Sequence, residues 1–255
     1  MIDDSLLLGV NPIVEKLKTS PEEISLIFLA RGRLRPILKS IESDAQRLKI
    51  CVHYLDAKEL DNLAQGRSHQ GVLARVRAYS YGSSSQLKEI VASESGPERI
   101  LILDGITDPR NFGAILRTAE AVGVRHVIIP KDRSVGITPA VFKASAGAVS
   151  HLRVYRVTNL RRAISSLKSR GFWIVGLDAN AKQSYHDTQY PKKLGIVLGS
   201  EGRGIRCLIS KECDYLVRIP MKGKVSSLNV SVAGAIFLYE VLRRQGGVDN
   251  NTVER

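Results

Sequence analysis

Apolar and polar positions along the chain alternate with two different periods, and the switches between them mark out its elements. Val10, Ile13, Val14 and Leu17 fall at helical spacing. Ser20-Pro21-Glu22-Glu23 has the form of a capping box with proline at the first helical position. Ile24–Leu29 is an apolar run of strand length, followed by the basic turn Ala30–Arg35 and a helical pattern over Pro36–Lys49. A strand at Ile50–Tyr54, a short helix at Asp56–Leu63, the polar loop Gln65–Gly71 and a strand at Val72–Val76 complete a compact α/β unit. Tyr79–Ser85 is rich in serine, tyrosine and glycine and reads as a linker, with a helix at Gln86–Val91 and a turn at Ser95-Gly96-Pro97 beyond it.

From Arg99 onward strands and helices take turns. Strands are expected at Ile100–Leu103, His126–Ile129, His151–Val154, Phe172–Leu177, Ile196–Leu198 and Tyr215–Ile219. Helices are expected at Asn111–Val122, Thr138–Ala146, Asn159–Arg170, Ile205–Lys211 and Val230–Arg243. Strands this uniformly apolar, separated by helices, predict an α/β fold with a mostly parallel sheet covered on both faces. The expected organisation is a small α/β domain over residues 1–78, a linker over 79–98, a second domain over 99–245 and a polar tail over 246–255.

Charge adds a partner class. The 255 residues carry 38 Lys+Arg against 25 Asp+Glu, a formal net charge of +13. The first 80 residues account for only +2 of it, so the second domain is the basic body, as expected of a protein that meets RNA or DNA. Cys51, Cys207 and Cys213 are odd in number and widely spaced, which fits neither a disulfide framework nor a zinc site and suits a reducing cytoplasm. The opening MIDDSLLLGVNP lacks the basic start of a signal peptide. The longest uncharged apolar stretch, Val230–Tyr239, is far shorter than the ~20 residues a membrane span needs. A cytoplasmic protein with no membrane partner and no bound metal is expected.

Candidate chemistry gathers where strands end. The first βα turn of the second domain, Leu103 to Asn111, contains neither G-x-G-x-x-G nor the Walker phosphate loop, which argues against a dehydrogenase or an NTPase. Two later strands instead open into Gly199-Ser200-Glu201-Gly202-Arg203-Gly204 and into Pro220–Lys224 followed by Ser226-Ser227-Leu228-Asn229. Strand ends that become glycine-rich loops are where open α/β sheets bind ligands. Arg117 either pairs with Glu120 on a wet helix face or grips a phosphate or developing oxyanion. Ser227 and Asn229 are helix caps or site residues. Glu201 is a turn acid or a partner for a basic group. The Arg31/Arg33/Arg35 cluster suits RNA phosphates.

Asn111-x-Gly113…Arg117 with Glu120, then Leu198-Gly199-Ser200-Glu201-Gly202-x-Gly204, then Ile219-Pro220-Met221…Ser226-Ser227-Leu228-Asn229 resemble the three motifs of the SpoU/TrmH family. These are SPOUT-class RNA ribose 2′-O-methyltransferases. Gly9, the His69-Gln70-Gly71 loop and the linker resemble the family's L30e-like substrate-binding domain. LILDGITDPRNFGAILRTAEAVGV and IPMKGKVSSLNVSVA are especially similar to the members that modify a guanosine of bacterial 23S rRNA. The resemblance implies a deep trefoil knot in the C-terminal sheet, a homodimer, and S-adenosylmethionine as cofactor. It implies cofactor contacts from Leu198, Gly199, Ile219, Leu228 and Asn229. Arg117, Asn111, Glu201, Ser227 and Asn229 become the expected catalytic set, and Arg31, Arg33, Arg35, Arg67 and His69 the expected RNA contacts. The implied partner is 23S rRNA or a large-subunit assembly intermediate. The same motifs leave two alternatives open: the same chemistry on another RNA such as tRNA, and an RNA-binding relative without catalysis.

Overall fold

The computed structural model describes residues 6–32, 35–76, 79–93, 98–224 and 227–246. In chain order the elements are β1 (Leu6–Leu8), α1 (Val10–Thr19), β2 (Ile24–Ala30), α2 (Pro36–Arg47), β3 (Cys51–Leu55), α3 (Ala57–Ala64), β4 (Val72–Val76), α4 (Ser84–Ala92), β5 (Arg99–Asp104), α5 (Pro109–Ala121), β6 (His126–Pro130), α6 (Pro139–Ala144), β7 (Arg153–Val157), α7 (Leu160–Lys168), β8 (Trp173–Leu177), β9 (Gln183–Ser184), β10 (Leu194–Gly199), α8 (Cys207–Ser210), β11 (Tyr215–Arg218) and α9 (Val230–Arg244). They form two compact units: the residues up to Ser80 with Gly136–His151, and Tyr81–Val135 with the residues from Leu152 onward.

The first unit carries a four-stranded sheet in the order β1-β4-β2-β3, with β2 and β3 parallel and the other pairs antiparallel. β3 is an edge strand, so most of its side chains are exposed. α3 is set by a full capping box, Asp56 accepting from the Glu59 N–H at 2.8 Å and Glu59 accepting from the Asp56 N–H at 2.9 Å. The capping box expected at Ser20 does not form. Pro21–Glu23 is a single 3-10 turn without a side-chain cap, because Glu23 turns to the buried Lys16 ammonium instead. The apolar run Leu6–Leu8 is a strand that the sequence pattern left as an unassigned stretch.

The second unit is a seven-stranded sheet, parallel throughout, in the order β7-β6-β5-β10-β8-β11-β9. Its central strands are buried on both faces, which is why they read as unbroken apolar runs. One face is covered by α4, α7 and α8, whose Leu87, Val91, Leu160, Ile164, Leu167 and Ile209 pack on Ile100, Ile102, Ile128, Ile174 and Val197. The other face is covered by α5 and α9, and α9 comes so close to β10 that a Cβ on Gly234 would meet Leu198 at 2.8 Å.

Two features cut across the expected divisions at 78 and 98. Gly82 forms a parallel bridge to Tyr155 and α4 buries Leu87 and Val91, so this part of the expected linker is built into the second unit. Conversely, Gly136–His151, inside the expected second domain, packs with the N-terminal elements. Phe142 lies under the Lys16 ammonium at 5.4 Å, Lys143 donates to the Ser68 carbonyl, and the His151 ring sits 2.5 Å from the Glu15 carboxylate. The physical cause is that Val141, Phe142, Ala148 and Val149 need a core and find it there. One consequence is that β7 starts at Arg153, His151 being the end of a 3-10 turn. The expected tail lies, but for Gly246, outside the described residues.

Candidate active site

The sheet order explains the site. β10 lies between β5 and β8, with Gly199 opposite Asp104 and Leu198 opposite Leu177. Three loops that are far apart in the chain therefore leave the same end of the sheet side by side. They follow β8, β10 and β11 and enclose a cavity of about 440 Å³. Leu177, Leu198, Ile219, Leu228 and Ala233 give it apolar walls, and Asp178, Asn180, Ser200, Glu201 and Ser227 its polar ones. Such a volume and mixture suit a small-molecule ligand.

The loop after β10 is closed by reciprocal backbone bonds, Ser200 N–H to the Gly204 carbonyl at 3.0 Å and Gly204 N–H to the Ser200 carbonyl at 2.9 Å. Gly199 is required there, since a Cβ would run into the backbone of Gly204 and Ile205. Gly202 and Gly204 take φ of 81° and 64°, the left-handed region in which glycine carries no penalty. The far end of the loop is fixed by an ion pair that sequence reasoning missed. The fully buried Asp104 carboxylate accepts from the Arg206 backbone N–H at 2.9 Å and from its Nε at 2.7 Å.

Asn111, Glu201 and Asn229 meet at the cavity rim in a closed ring. Asn111 Nδ2 donates to Glu201 Oε2 at 2.8 Å, and Asn229 Nδ2 donates both to Glu201 Oε1 at 3.1 Å and to Asn111 Oδ1 at 3.0 Å. The hydrogen bonds of this ring bear on the alternatives left open for Glu201 and Asn229. Glu201 takes two amides, not a basic group. Asn229 caps α9, its Oδ1 accepting the Ser231 N–H at 2.9 Å, while its Nδ2 serves the ring. Asn111 is not the cap of α5; Asp108 is, accepting from the Asn111 N–H at 2.7 Å.

Arg117 sits on α5, exposed, and its side chain has no hydrogen-bond or ion-pair partner among the described residues. The pair with Glu120 does not form, since Glu120 binds Arg125 at 2.8 Å. Arg117 is not among the residues lining the cavity. Leu198, Gly199, Ile219, Ser227, Leu228 and Asn229 all are. The stretch Leu177–Asn180 lines it too and was not foreseen. The signal was available in the strand ending at Leu177, but nothing in chain order says that this strand lies beside β10 and β11.

The expected RNA contacts belong to the first unit. Arg35 donates to the Gln70 carbonyl, Arg31 reaches the Tyr54 carbonyl at 3.5 Å, and the Gly71 carbonyl accepts from the Ala30 N–H, so the basic turn and the His69 loop form one end of that sheet. Arg67 is held to its own helix end, Nε to the Ala64 carbonyl at 3.0 Å. Arg33 lies outside the described residues, as does Ser226 of the third motif. The His69 ring accepts the Gly71 N–H on Nδ1 at 3.1 Å, so the proton sits on Nε2 and points to Asp61 at 3.0 Å. Its first task is to hold the loop.

A basic parallel α/β sheet that closes glycine loops over a cavity beside an Asn–Glu–Asn ring has counterparts among known proteins. Residues 98–239 match the SpoU rRNA Methylase family, and residues 6–82 match the RNA 2′-O ribose methyltransferase substrate-binding domain. A Bacillus subtilis (strain 168) protein described as a TrmH-family tRNA/rRNA methyltransferase is 40% identical over 242 residues, 95% of this chain and 96% of that one. Among solved structures, the SpoU methyltransferase AviRb from Streptomyces viridochromogenes in complex with the cofactor AdoMet superposes with a TM-score of 0.77 at 23% identity, covering 94% of this chain and 90% of that one. A TrmH-family RNA methyltransferase from Porphyromonas gingivalis gives 0.75 at 26%, covering 94% and 89%. The chain belongs to the SpoU (TrmH-like) RNA methyltransferase family, and its fold is the SPOUT fold that the three motifs implied.

Proposed function

We propose that this protein methylates the ribose 2′-hydroxyl of a guanosine in 23S rRNA, with S-adenosylmethionine held in the cavity between the β8, β10 and β11 loops. The single observation that carries the reading is the Asn111–Glu201–Asn229 ring closing the rim of that cavity. The cavity fits the cofactor chemically. Side-chain-free backbone at Gly202 and Gly204 admits close approach, the apolar walls suit an aromatic base, and the Asp178 and Glu201 carboxylates favour a cation. When bound, S-adenosylmethionine supplies an electrophilic methyl group on a positively charged sulfur.

The chain's own residues must then prepare an alcohol as nucleophile. Both Glu201 oxygens already accept amide hydrogens, which makes it an anchor for the two asparagines. Those asparagines and Ser227 orient the ribose. A guanidinium stays protonated, so Arg117 is no base; its open side chain stabilises the negative charge that develops on the 2′-oxygen and on the neighbouring phosphate while the hydroxyl proton passes to solvent water. Only RNA offers the 2′-hydroxyl that this arrangement addresses. Arg31, Arg35, Arg67 and the His69 loop hold RNA from the first unit.

The protein acts as a homodimer. Val232, Ile236 and Tyr239 recur at three- and four-residue spacing on α9 and are left exposed as an apolar stripe. α5 packs beside α9, and this reading assigns Arg117, which does not line the cavity of its own copy, to the site of the assembled dimer. No helix among the described residues is long and apolar enough to cross a membrane, and Cys51, Cys207 and Cys213 are all free, in keeping with a cytoplasmic enzyme.

The test is transfer of labelled methyl from S-adenosylmethionine to 23S rRNA, followed by ribose-methylation mapping. Label on one guanosine 2′-oxygen is expected. Label on tRNA alone moves the protein to the second reading, the same chemistry on another RNA; the B. subtilis relative's description names both tRNA and rRNA. Cofactor binding with no transfer to any RNA overturns the enzyme.

A further inference from the structure

The end of the second unit's sheet opposite the cavity carries a surface that the methyl-transfer site does not use. Trp173, the chain's single tryptophan, opens β8 and is 51% exposed. Tyr215 opens β11, in register with Val175. Residues 173 and 175 share a face of β8, so the two rings stand on one side, with centroids 6.1 Å apart and planes tilted by 34°. An indole half in water is unusual in a sheet whose other central positions are sealed.

The charge around it is positive. Lys192 and Lys193 lead into β10, and the Lys193 carbonyl accepts the Trp173 backbone N–H at 3.0 Å, so this dibasic pair enters the sheet beside Trp173. Arg170 lies in the turn just before β8. All three are exposed, and their side chains have no partner among the described residues. The acids nearby are mostly taken: Asp214 binds Lys168 at 2.6 Å and Glu212 binds Arg161 at 2.5 Å, leaving Glu98. An aromatic face bordered by free cations is the combination that single-stranded nucleic acid uses, bases stacking on the rings while cations track the phosphates.

We propose that Trp173 and Tyr215, with Lys192, Lys193 and Arg170, form a second RNA-binding surface that stacks an unpaired base of the substrate. Five residue-to-residue steps separate Trp173 from Asp178 in the cavity, about 16 Å at the rise of a parallel strand. The surface therefore grips RNA outside the nucleotide being methylated and sets affinity for a single-stranded stretch flanking the target. This rests on the reading of the protein as an RNA methyltransferase.

Because Trp173 is the only tryptophan, its fluorescence reports on the surface directly. Titrating the full-length protein with a short oligouridine should quench the emission saturably, and raising the salt should reverse the quench. Trp173→Ala should weaken oligouridine binding, followed by calorimetry, about tenfold. It should raise KM for the RNA substrate by a similar factor, with kcat and cofactor affinity unchanged. Trp173→Phe should restore binding, which a merely structural role for the indole does not predict. Lys192→Glu with Lys193→Glu, both on the surface, should weaken binding and flatten its salt dependence without relying on the Trp173 variant to fold.

Unchanged oligouridine affinity in both the Trp173→Ala protein and the double glutamate protein overturns the surface. So does loss of self-association in Trp173→Ala with RNA affinity intact, which makes the patch a protein contact. Active methyl transfer to RNA with no fluorescence response sinks this surface alone. A saturable response in a protein that methylates no RNA sinks the proposed function and supports the surface.

Discussion

The side chain of Asn229 joins two tasks that separate substitutions can split. Its oxygen caps α9 and its nitrogen ties Asn111 to Glu201. Serine is as good a cap but too short to reach the ring. Asn229→Ser should therefore stay within about 1 kcal/mol of the parent in denaturant unfolding while methyl transfer falls more than about tenfold. Equal losses in both would reduce Asn229 to a cap. Arg117 is the opposite case, a side chain with no structural employment among the described residues. Arg117→Ala should leave unfolding within about 0.5 kcal/mol and cofactor affinity intact, yet cut turnover more than about tenfold. Unchanged turnover rules out the charge-stabilising role.

At the scale of elements, α9 starts in the site and ends in an ionic cluster that anchors it. Glu240 is 7% exposed. Arg243 Nε donates to it at 2.8 Å, Arg244 Nε at 3.0 Å, and the His186 ring lies 3.5 Å away. The Arg243 guanidinium, against the opposing effect of burial and with help from Arg244, holds this carboxyl down to about 2 from the usual 4.5. A depressed folded-state pKa means that the unfolded chain binds the extra proton first as pH falls. The cluster thus stabilises the fold fully above about pH 4.5 and ceases to do so as pH approaches about 2. Glu240→Gln should flatten the stability profile across that window and lower stability at neutral pH by about 2 kcal/mol, less than for a fully sealed pair because both arginines meet water. Unfolding midpoints across pH check both; a variant with the parent's acid slope would remove Glu240 from the account.

At the scale of the whole molecule, the chain passes between its two units at residues 80/81, 135/136 and 151/152. The 136–151 segment gives the first unit's core Val141, Phe142 and Val149. A fragment ending at residue 80 lacks these side chains, so it should unfold at lower denaturant than the N-terminal unit of the full chain; an equal midpoint would show that the 136–151 segment adds nothing to that core. The apolar stripe on α9 makes a claim at the same scale. Val232→Asp with Tyr239→Asp changes the two most exposed apolar side chains of the stripe, 47% and 53% exposed, so the protein should still fold, but light scattering should find a monomer and methyl transfer should be lost. A dimer of undiminished activity would place the interface elsewhere.

Much of this was legible from residue order. Apolar runs between glycine loops marked a doubly covered parallel sheet, and three short motifs named the chemistry and most of the cavity lining. Those signals are local: a strand buried on both faces must be apolar throughout, and a loop that crosses its own backbone must place glycine at the crossing. What residue order left undecided was adjacency. Asp104 and Arg206 are 102 positions apart, and the β8 loop precedes the β10 loop by more than a strand and a turn. Only the insertion of β10 between β5 and β8 made them neighbours. It likewise took folding to turn Glu120 toward Arg125 and to draw Gly136–His151 into the other unit's core, because which charge or apolar side chain lies nearest depends on the path of the whole chain.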